Sequence, residues 1–533
     1  MHPIRNQASN NWWRYLLVFG VILCFILLSF PGNRSEADDG FYYAYLVRDN
    51  SWERLFQSRY LLFLPFLKAA HTFFWQLGWH ADVYKFMCYV SAACSAATCV
   101  LVYYTLNNVF NIKRTTAVWG AVLLMICYGF WRYAVEAEVY AISNLLSILV
   151  FLCMWRMTKE RGSRKWLLIT SVLAGVSVLF YKPNVIPLFF AFPFWLLIRR
   201  QWSFTFAYGI LGFLVVLAGY YSVYSVFPGD MTFREFFLDG ASQSYGSPLV
   251  TIFVIGANIL ATGFIYGFEK VAGFIHHRFP ANIIAEEVYA ANSNPVGNKI
   301  AVVTTILAVL SILATLILVF LKRKRLKLLT AQVILVLWIG IYAMMLLYLD
   351  PNSPEPWTML LLPMVLLISS WVGQLPRDKW VFLPWAMLLC IGLHNFFGGY
   401  QVIRKQSGDL IVHETGWLEG HTSQGDLVMS LGAGSKLNYI AYNTPATVYS
   451  LEQHYDKAKL NIRNTLAGQK KVYILEDAIE IDPAVKFRHP EAYEKSMAIV
   501  AELKPYLILQ NPGDPKFAPV YALDPTYLKI LER

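Results

Sequence analysis

The chain has 533 residues, of which 57% are hydrophobic and only 15% are charged, and its mean hydropathy is +0.44. A soluble protein usually holds about 25% charged residues, so the composition excludes an ordinary soluble enzyme and indicates a membrane protein. The formal net charge is +11, but the basic residues cluster beside apolar segments, as in "KERGSRK" and "KRKRLK". This pattern is typical of cytoplasmic loops, and we therefore expect the lipid bilayer, and no nucleic acid, as a partner.

Apolar segments of spanning length recur from Trp12 to about Phe397. A spanning helix needs roughly 20 apolar residues, and basic clusters mark the cytoplasmic side. With the N-terminus in the cytoplasm, we predict about eleven full transmembrane helices. Their segments are Trp12 to Phe30, Asp82 to Leu106, Ala117 to Trp131, Val135 to Met157, Trp166 to Tyr181, Val185 to Ile198, Phe204 to Val226, Ile300 to Leu321, Val333 to Tyr348, Thr358 to Trp371 and Leu383 to Phe397. The first is too long for a signal-peptide core, so we expect it to remain uncleaved.

Two further apolar segments differ from simple spans. The segment from Arg59 to Gly78 includes Pro65 and Lys68, and we predict one or two helices lying in the outer interface. The segment from Leu249 to Gly267 is rich in glycine, and the flanking basic clusters require an even number of crossings there. An interfacial piece, a re-entrant piece and a double crossing remain open, with the first two favoured.

The last part of the chain has a different composition. Residues 398–533 are polar and turn-rich, and short apolar runs such as "DLVMSL" and "KVYILED" alternate with helical stretches, which predicts a small α/β domain. We therefore divide the chain into a membrane domain, 1–397, and a soluble domain, 398–533. The parity of the predicted spans places the soluble domain outside the cytoplasm, where we expect a packing or acceptor-docking role.

The same topology collects ionisable residues on the outer face. Such residues at the ends of spans are costly, which makes them candidates for a functional site. They are Asp38, Asp39, Arg132, Glu136, Glu138, Lys182, Asp350 and Glu355.

Several of these residues also have an ordinary structural interpretation. The two adjacent aspartates could be a solvated pair at the start of the next helix, stabilised by its dipole. Arg132 and Glu136 have the spacing of a helical surface pair, and Glu136 and Glu138 would point in different directions on a helix. Lys182 could extend its ammonium group to the interface, although Pro183 fixes it at a sharp corner.

Several motifs occur together in the order and on the side expected of one family. These are the acidic pair in "DDGFYYAYLVRDNSW", the corner "AEVYA", the corner "AGVSVLFYK" and the stretch "EPWTMLLLPMVLLISS". Together they resemble the GT-C glycosyltransferases, most closely the branch of protein O-mannosyltransferases and lipid A aminoarabinose transferases. Asp39 stands where glutamate is commoner in that branch, and Tyr181 replaces a threonine.

The resemblance implies a GT-C fold and a sugar donor linked to polyprenyl phosphate, used on the extracytoplasmic face with inversion. It implies that Asp38 is the catalytic aspartate, Asp39 its acidic neighbour and Glu138 the acid of the second loop. It also implies that Lys182 contacts the carrier phosphate. The location implied is a bacterial inner membrane, and the acceptor is a protein, a lipid or a glycan.

The chemistry of the residues is consistent with this reaction. A carboxylate can remove the acceptor proton, and a cation can stabilise the leaving phosphate. We assign the phosphate to Lys182 and Arg59, and a divalent metal, if one is used, to Asp39 and Glu138. Supporting or acceptor-binding roles are assigned to Glu138, Tyr140, Arg132, Glu355 and Trp357.

Two other functions remain as alternatives. A lipid-carrier flippase or transporter should contain internal repeats or helices broken at the midplane, and no clear repeat is present. A polysaccharide polymerase or ligase is expected to use Arg and His in its outer loops, whereas acidic residues predominate in this sequence.

Overall fold

The computed structural model describes residues 12–32, 39–160, 163–227, 231–238, 248–261, 295–323, 330–349, 354–375, 380, 382–404, 410–432, 434–479, 490–511 and 518–532. Asp38, most of the "KRKRLK" cluster and residues 262–267 of the glycine-rich segment lie outside these ranges.

The described residues form two compact units. The first unit takes in those within Met1–Phe30, Asn50–Phe268 and Asn282–Val402. The second takes in those within Pro31–Asp49 and Ile403–Arg533. The domain boundary expected at residue 397 stays a prediction.

In its described parts, the first unit is helical, apart from an isolated bridge between Gln57 and Tyr60. Its α-helices are Trp12–Leu28, Trp52–Leu55, Phe63–Gln76, Val83–Tyr104, Arg114–Ile126, Tyr128–Ala134, Val139–Lys159, Arg164–Phe180, Phe192–Ile198, Trp202–Val226, Phe233–Leu238, Pro248–Ile259, Pro295–Leu321, Thr330–Leu349, Pro354–Trp357, Leu361–Val372 and Phe382–Asn395, with Gln401–Ile403 at the junction of the units. Short 3₁₀ and π turns extend or join them at Thr105–Val109, Lys182–Asn184, Pro187–Ala191, Thr358–Leu360 and Phe396–Tyr400.

Seven helices in the described residues are long and apolar enough to cross a membrane, or eight if one bent pair counts as a span. The seven are Val83–Val109, Val139–Lys159, Trp202–Val226, Val302–Leu321, Ala331–Leu349, Pro354–Val372 and Phe382–Tyr400. The chain is therefore a multi-pass membrane protein, as its composition indicates.

The other four predicted spans coincide with shorter or broken helices. Trp12–Leu28 and Arg164–Phe180 have 17 residues each, and Lys182–Ile198 is another short apolar helix. Arg114–Ile126 and Tyr128–Ala134 form the bent pair, at 71° to each other. The architecture is thus the predicted one, while eleven full crossings stay a prediction.

The second unit combines helices with a five-stranded sheet. Its strands are β1 Leu427–Ser430, β2 Thr447–Ser450, β3 Val472–Leu475, β4 Leu507–Leu509 and β5 Val520–Leu523. Its helices and short helical turns are Gly40–Asp49, Leu410–His421, Ser435–Asn443, Leu451–His454, Tyr455–Lys457, Ala458–Ala467, Glu476–Ile479, Pro490–Leu503, Lys504–Tyr506, Pro525–Tyr527 and Leu528–Leu531.

The strand order is β2-β1-β3-β5-β4, with β1 parallel to β2 and β3, and with β5 antiparallel to β3 and β4. In the register of the sheet, Val428 lies opposite both Val448 and Tyr473. Both faces are covered, because alternate residues of β1 enter two different cores. Met429 packs with Ile462 on one face, and Val428 packs with Ile440 on the other. This three-layer packing is typical of α/β domains.

Candidate functional site

The corner at Lys182 forms because the preceding helix ends at Phe180 and Pro183 allows only a short 3₁₀ turn. The Lys182 amide donates to the carbonyl of Arg59 over 3.2 Å. The Lys182 Nζ atom donates to the carbonyl of Phe237 at 2.7 Å and to Ser58 Oγ at 3.2 Å. The ammonium group is therefore held within the protein, and the corner is joined to the segment that contains Arg59.

The segment around Arg59 is itself fixed by aromatic side chains. Tyr220 donates its hydroxyl to the carbonyl of Ser58 at 2.5 Å, and the Lys182 ammonium lies 5.6 Å from the centre of the Tyr220 ring. The Arg59 guanidinium lies 5.5 Å from the centre of the Tyr60 ring. The fold thus brings together the two predicted phosphate ligands, Lys182 and Arg59, which are more than a hundred positions apart in the sequence.

Three buried tyrosines connect this cationic corner to a carboxylate. Tyr60 and Tyr181 are stacked with ring centres 6.1 Å apart, and Tyr140 meets Tyr181 edge to face at 5.5 Å. The Tyr140 hydroxyl donates to Glu355 Oε2 at 2.8 Å. We call Tyr60, Tyr140 and Tyr181 the tyrosine wall, because their three rings pack against one another.

Glu355 lies in the short helix Pro354–Trp357, at the start of a long apolar helix. Trp357 is only 1% exposed, and Tyr342 donates its hydroxyl to the carbonyl of Pro356 at 3.1 Å. These contacts fix the backbone on which Glu355 stands. Trp357 is therefore a buried packing residue beside the site.

The segment that joins the helices Tyr128–Ala134 and Val139–Lys159 differs in two respects from the sequence interpretation. Residues 135–138 form a bend between two helices, so the expected helical geometry of Glu136 and Glu138 is wrong. Arg132 and Glu136 form an i,i+4 ion pair, but it is buried rather than on the surface. A buried pair costs much desolvation free energy, and here it fixes the bend that leads to Glu138.

Glu138 is 2% exposed and immediately precedes the helix Val139–Lys159. Its carbonyl accepts a hydrogen bond from Ser91 Oγ over 3.4 Å. The next residue but one, Tyr140, belongs to the tyrosine wall, so Glu138 adjoins the site along the chain.

The acidic pair is described only in part, because Asp38 lies outside the described residues. Asp39 belongs to the second unit. Its Oδ2 atom accepts a hydrogen bond from the Tyr43 hydroxyl at 3.0 Å, and its carbonyl accepts one from the Tyr43 amide at 2.9 Å. Asp39 is therefore fixed to the first turn of the helix Gly40–Asp49.

In the part of the chain that the structure describes, no cluster of three or more His, Cys, Asp or Glu side chains could hold a metal ion. The assignment of a metal to Asp39 and Glu138 stays a prediction.

Sequence reasoning did not select Tyr60, Ser58 or Tyr220 as site residues. Tyr181 was noted only because it replaces a threonine. One available signal was the concentration of tyrosines beside the predicted cations, in "SRY" and "FYK". Their contacts with one another require the folded structure.

The chain is similar to known proteins in both sequence and fold. Residues 62–205 match the family model of the protein O-mannosyl-transferase TMEM260 N-terminal domain. No curated protein matches the sequence.

Similar solved structures cover nearly the whole chain. ArnT from Cupriavidus metallidurans bound to undecaprenyl phosphate has a TM-score of 0.56 at 10% identity, over 97% of this chain and 98% of that one. The apo state of the same protein gives 0.54 at 10% identity, over 96% and 98%. The fold is of the GT-C type. The Archaeoglobus fulgidus oligosaccharyltransferase, in a complex with Zn and sulfate, gives 0.50 at 12% identity, over 95% of this chain and 73% of that one.

The GT-C fold accounts for the arrangement along the chain. It combines a helical membrane unit, in which Lys182 and Glu355 lie, with an α/β unit near the C-terminus. The matched family segment ends at residue 205, after the Lys182 corner. The similarity in sequence therefore includes Arg132, Glu138 and the Lys182 corner, and the similarity in fold extends to both units.

Proposed function

We propose that the protein is an inverting glycosyltransferase that moves a sugar from a polyprenyl-phosphate carrier to a protein, lipid or glycan acceptor. The observation that carries this proposal is the arrangement of Lys182, Arg59 and Glu355 around the tyrosine wall in a membrane protein. Two cations suit a phosphate, and the buried rings and carboxylate suit a sugar. The similarity to a protein O-mannosyl-transferase domain and to ArnT, which was solved with undecaprenyl phosphate, supports the same conclusion.

The reaction is a single displacement. The acceptor oxygen forms a bond to the anomeric carbon, while the bond from that carbon to the phosphate oxygen breaks. The proton of the acceptor passes to Asp38, which acts as general base, and the carrier leaves as polyprenyl phosphate. Lys182 and Arg59 stabilise the negative charge that develops on the leaving phosphate. No covalent sugar–enzyme intermediate forms.

Asp39 orients Asp38 or the acceptor in this proposal. Two adjacent carboxylates resist ionising together unless a cation, a hydrogen-bond donor or water offsets their repulsion. The Tyr43 hydroxyl supplies one donor to Asp39 at 3.0 Å. If a divalent metal takes part, Asp39 and Glu138 are the residues that would hold it, and it would add positive charge near the phosphate.

The proposed site faces the outside of a bacterial inner membrane. The support is the distribution of basic clusters, from which we predict that the first outer loop, the Lys182 corner and the C-terminal unit lie on one side. A carrier with a long prenyl tail explains why the enzyme is embedded in the bilayer.

The test is a transfer assay with purified full-length protein and a panel of polyprenyl-phosphate sugars. One donor should be consumed, and Asp38→Asn should lower kcat by roughly 10²–10⁴-fold, because it removes the base and keeps the size. Asp39→Asn should lower kcat by less than Asp38→Asn does. If EDTA inactivates the wild type, a metal takes part in the reaction, and the loss of kcat in Asp39→Asn should then be larger.

Near wild-type transfer by Asp38→Asn would assign the base to another residue, with Glu138 as the first alternative. Transbilayer movement of the lipid donor without any sugar transfer would instead identify a flippase. Comparing the glycans of membrane fractions with and without the gene would then identify the acceptor class.

A further inference from the structure

The helix Gly40–Asp49 follows the acidic pair and belongs to the second unit. It is amphipathic, and Phe41, Tyr43 and Val47 are buried. Because Asp39 is hydrogen-bonded to Tyr43 through both its side chain and its carbonyl, a movement of this helix would move Asp39 with it.

This helix packs against the helix Ser435–Asn443 at both of its ends. The Phe41 ring meets the Tyr439 ring edge to face at 4.7 Å and the Tyr442 ring at 5.5 Å. At the other end, Arg48 Nη1 donates to the carbonyl of Tyr442 at 2.9 Å, and the guanidinium lies 4.2 Å from the centre of the Tyr442 ring. We call Phe41, Arg48, Tyr439 and Tyr442 the aromatic clamp.

The two ends of the clamp restrict different motions. Phe41 and Arg48 are seven residues apart, which places them on one face of the helix and about 10 Å apart along its axis. A single contact would leave the helix free to pivot. Contacts in the first and last turns fix both its tilt and its rotation.

The partner helix is itself anchored to the sheet by ion pairs of the half-buried Lys436. Lys436 Nζ lies 2.9 Å from Glu414 Oε2 and 3.3 Å from Asp477 Oδ1, and Asp477 also accepts from the Ser430 hydroxyl. Ser430 ends β1, and Asp477 follows the end of β3. Glu414 is only 1% exposed, so the loss of its partner would leave a buried charge, which is strongly destabilising.

We propose that the second unit positions the acidic segment for catalysis, with Arg48 and Tyr442 as positioning residues. The chain of contacts runs from the sheet through Lys436 to the helix Ser435–Asn443, and through the aromatic clamp to Asp39. The proposal rests on the proposed function, in which Asp38 and Asp39 take part in the reaction. A displacement of about 1 Å at a reacting group can cost on the order of 10²-fold in rate, which is why such a clamp would matter.

The experiment compares Tyr442→Ala with Tyr442→Phe in the full-length protein in nanodiscs. The described clamp contacts use the Tyr442 ring and its carbonyl, and phenylalanine keeps both. We expect Tyr442→Ala to lower kcat by roughly 10- to 100-fold with a donor KM within about twofold of wild type. Tyr442→Phe should remain near wild type. Hydrogen exchange of peptides from Gly40–Asp49 should accelerate in the alanine variant alone.

Two further variants separate positioning from general damage to the unit. Tyr506→Ala removes a half-buried ring that packs on Tyr527, and it should leave kcat unchanged. Tyr506 directly precedes the edge strand β4, which β3 and β5 separate from β1. Arg48→Met keeps the aliphatic stem and removes the donor, so it should reproduce the effect of Tyr442→Ala. If Tyr442→Ala does not fold, Arg48→Met gives the decisive result.

Faster exchange in Gly40–Asp49 with unchanged kcat would overturn the proposal, because the helix would then be packed without positioning the carboxylates. Unchanged exchange would overturn the clamp itself. If the wild type transfers no sugar from any donor, the proposed function fails, while the exchange experiment still decides whether the clamp holds the helix.

Discussion

At the scale of single residues, Lys182 shows which part of the site a sequence can predict. The corner follows from Pro183 and from the end of an apolar run, and the structure has both. The partners of the lysine could not be predicted, because Ser58 is 124 residues away along the chain. Local backbone preferences therefore predict that Lys182 lies at a corner, whereas tertiary contacts determine where its ammonium group lies.

Lys182→Ala should weaken use of the lipid donor. We expect a higher donor KM or a loss of turnover, because the leaving phosphate would lose a stabilising charge, with expression and fold near normal. Steady-state kinetics against donor concentration measure this. Lys68→Ala is a matched control, since the Lys68 ammonium also donates to a main-chain carbonyl, that of Asn50 at 2.6 Å. Unchanged donor kinetics in Lys182→Ala would leave that lysine with a structural role only, through its hydrogen bonds to Ser58 and Phe237.

Glu414 should make the stability of the second unit depend on pH. Burial raises the pKa of this carboxyl to about 6 against the pull of Lys436, whereas an unfolded chain titrates near 4.3. The folded state therefore binds the proton more tightly, and stability should increase as the pH falls from about 6 to about 4.5. The effect is about 2 kcal/mol for a shift of this size.

Hydrogen exchange of peptides from β1 and β3, corrected for intrinsic rates, would measure this dependence in the full-length protein. Glu414→Gln should remove it, because the amide does not titrate. A wild type with no change between pH 4.5 and 6, or a Gln variant that keeps the change, would contradict the assignment.

At the scale of elements, the apolar runs located the helices but not their breaks. The segment from Ala117 to Trp131 is apolar throughout, and a sequence window cannot show that the helix breaks after Ile126 and turns by 71°. The bend is fixed by tertiary packing at Gly129. An added Cβ atom there would overlap the Asn258 side chain, which is held by hydrogen bonds to the carbonyls of Val254 and Pro354.

Gly129→Ala should therefore destabilise the first unit. Overpacking in a tight interior costs typically about 1–3 kcal/mol, so the thermal midpoint in detergent should fall. Gly209→Ala is the control, because Gly209 also lies in a helix and a Cβ atom there meets nothing within 4 Å. The control should be neutral or slightly stabilising, since alanine favours a helix. Equal midpoints for the two variants would show that the bend tolerates a side chain.

At the scale of the whole molecule, composition and charge indicated a membrane unit and an α/β unit, and both are present. The order of the strands could not be predicted, because a pattern along the chain does not show which strands are neighbours. The same pattern also could not show that the helix Gly40–Asp49 packs on the helix Ser435–Asn443. Such pairings depend on long-range contacts between surfaces that are each only locally amphipathic.

The side of the membrane on which the second unit lies can be tested by labelling. Single cysteines near Ser435 and near Lys324, in a background without the seven native cysteines, would be treated in intact cells with an impermeant thiol reagent. The parity of spans predicts labelling near Ser435 and none near Lys324. The reverse pattern would invert the topology and separate the acidic segment from the outer face.

The discontinuity of the second unit has a consequence for biosynthesis. The helix Gly40–Asp49 is synthesised well before its partner, because the contact between Arg48 and Tyr442 spans 394 residues. At about 5–20 residues per second, the helix waits roughly 20–80 s for its partner, and Phe41 cannot meet the Tyr439 and Tyr442 rings before then. During that interval the nascent chain carries an unpaired apolar face beside its first membrane segment. We therefore expect the membrane, or a chaperone, to protect this face until the helix Ser435–Asn443 has been synthesised.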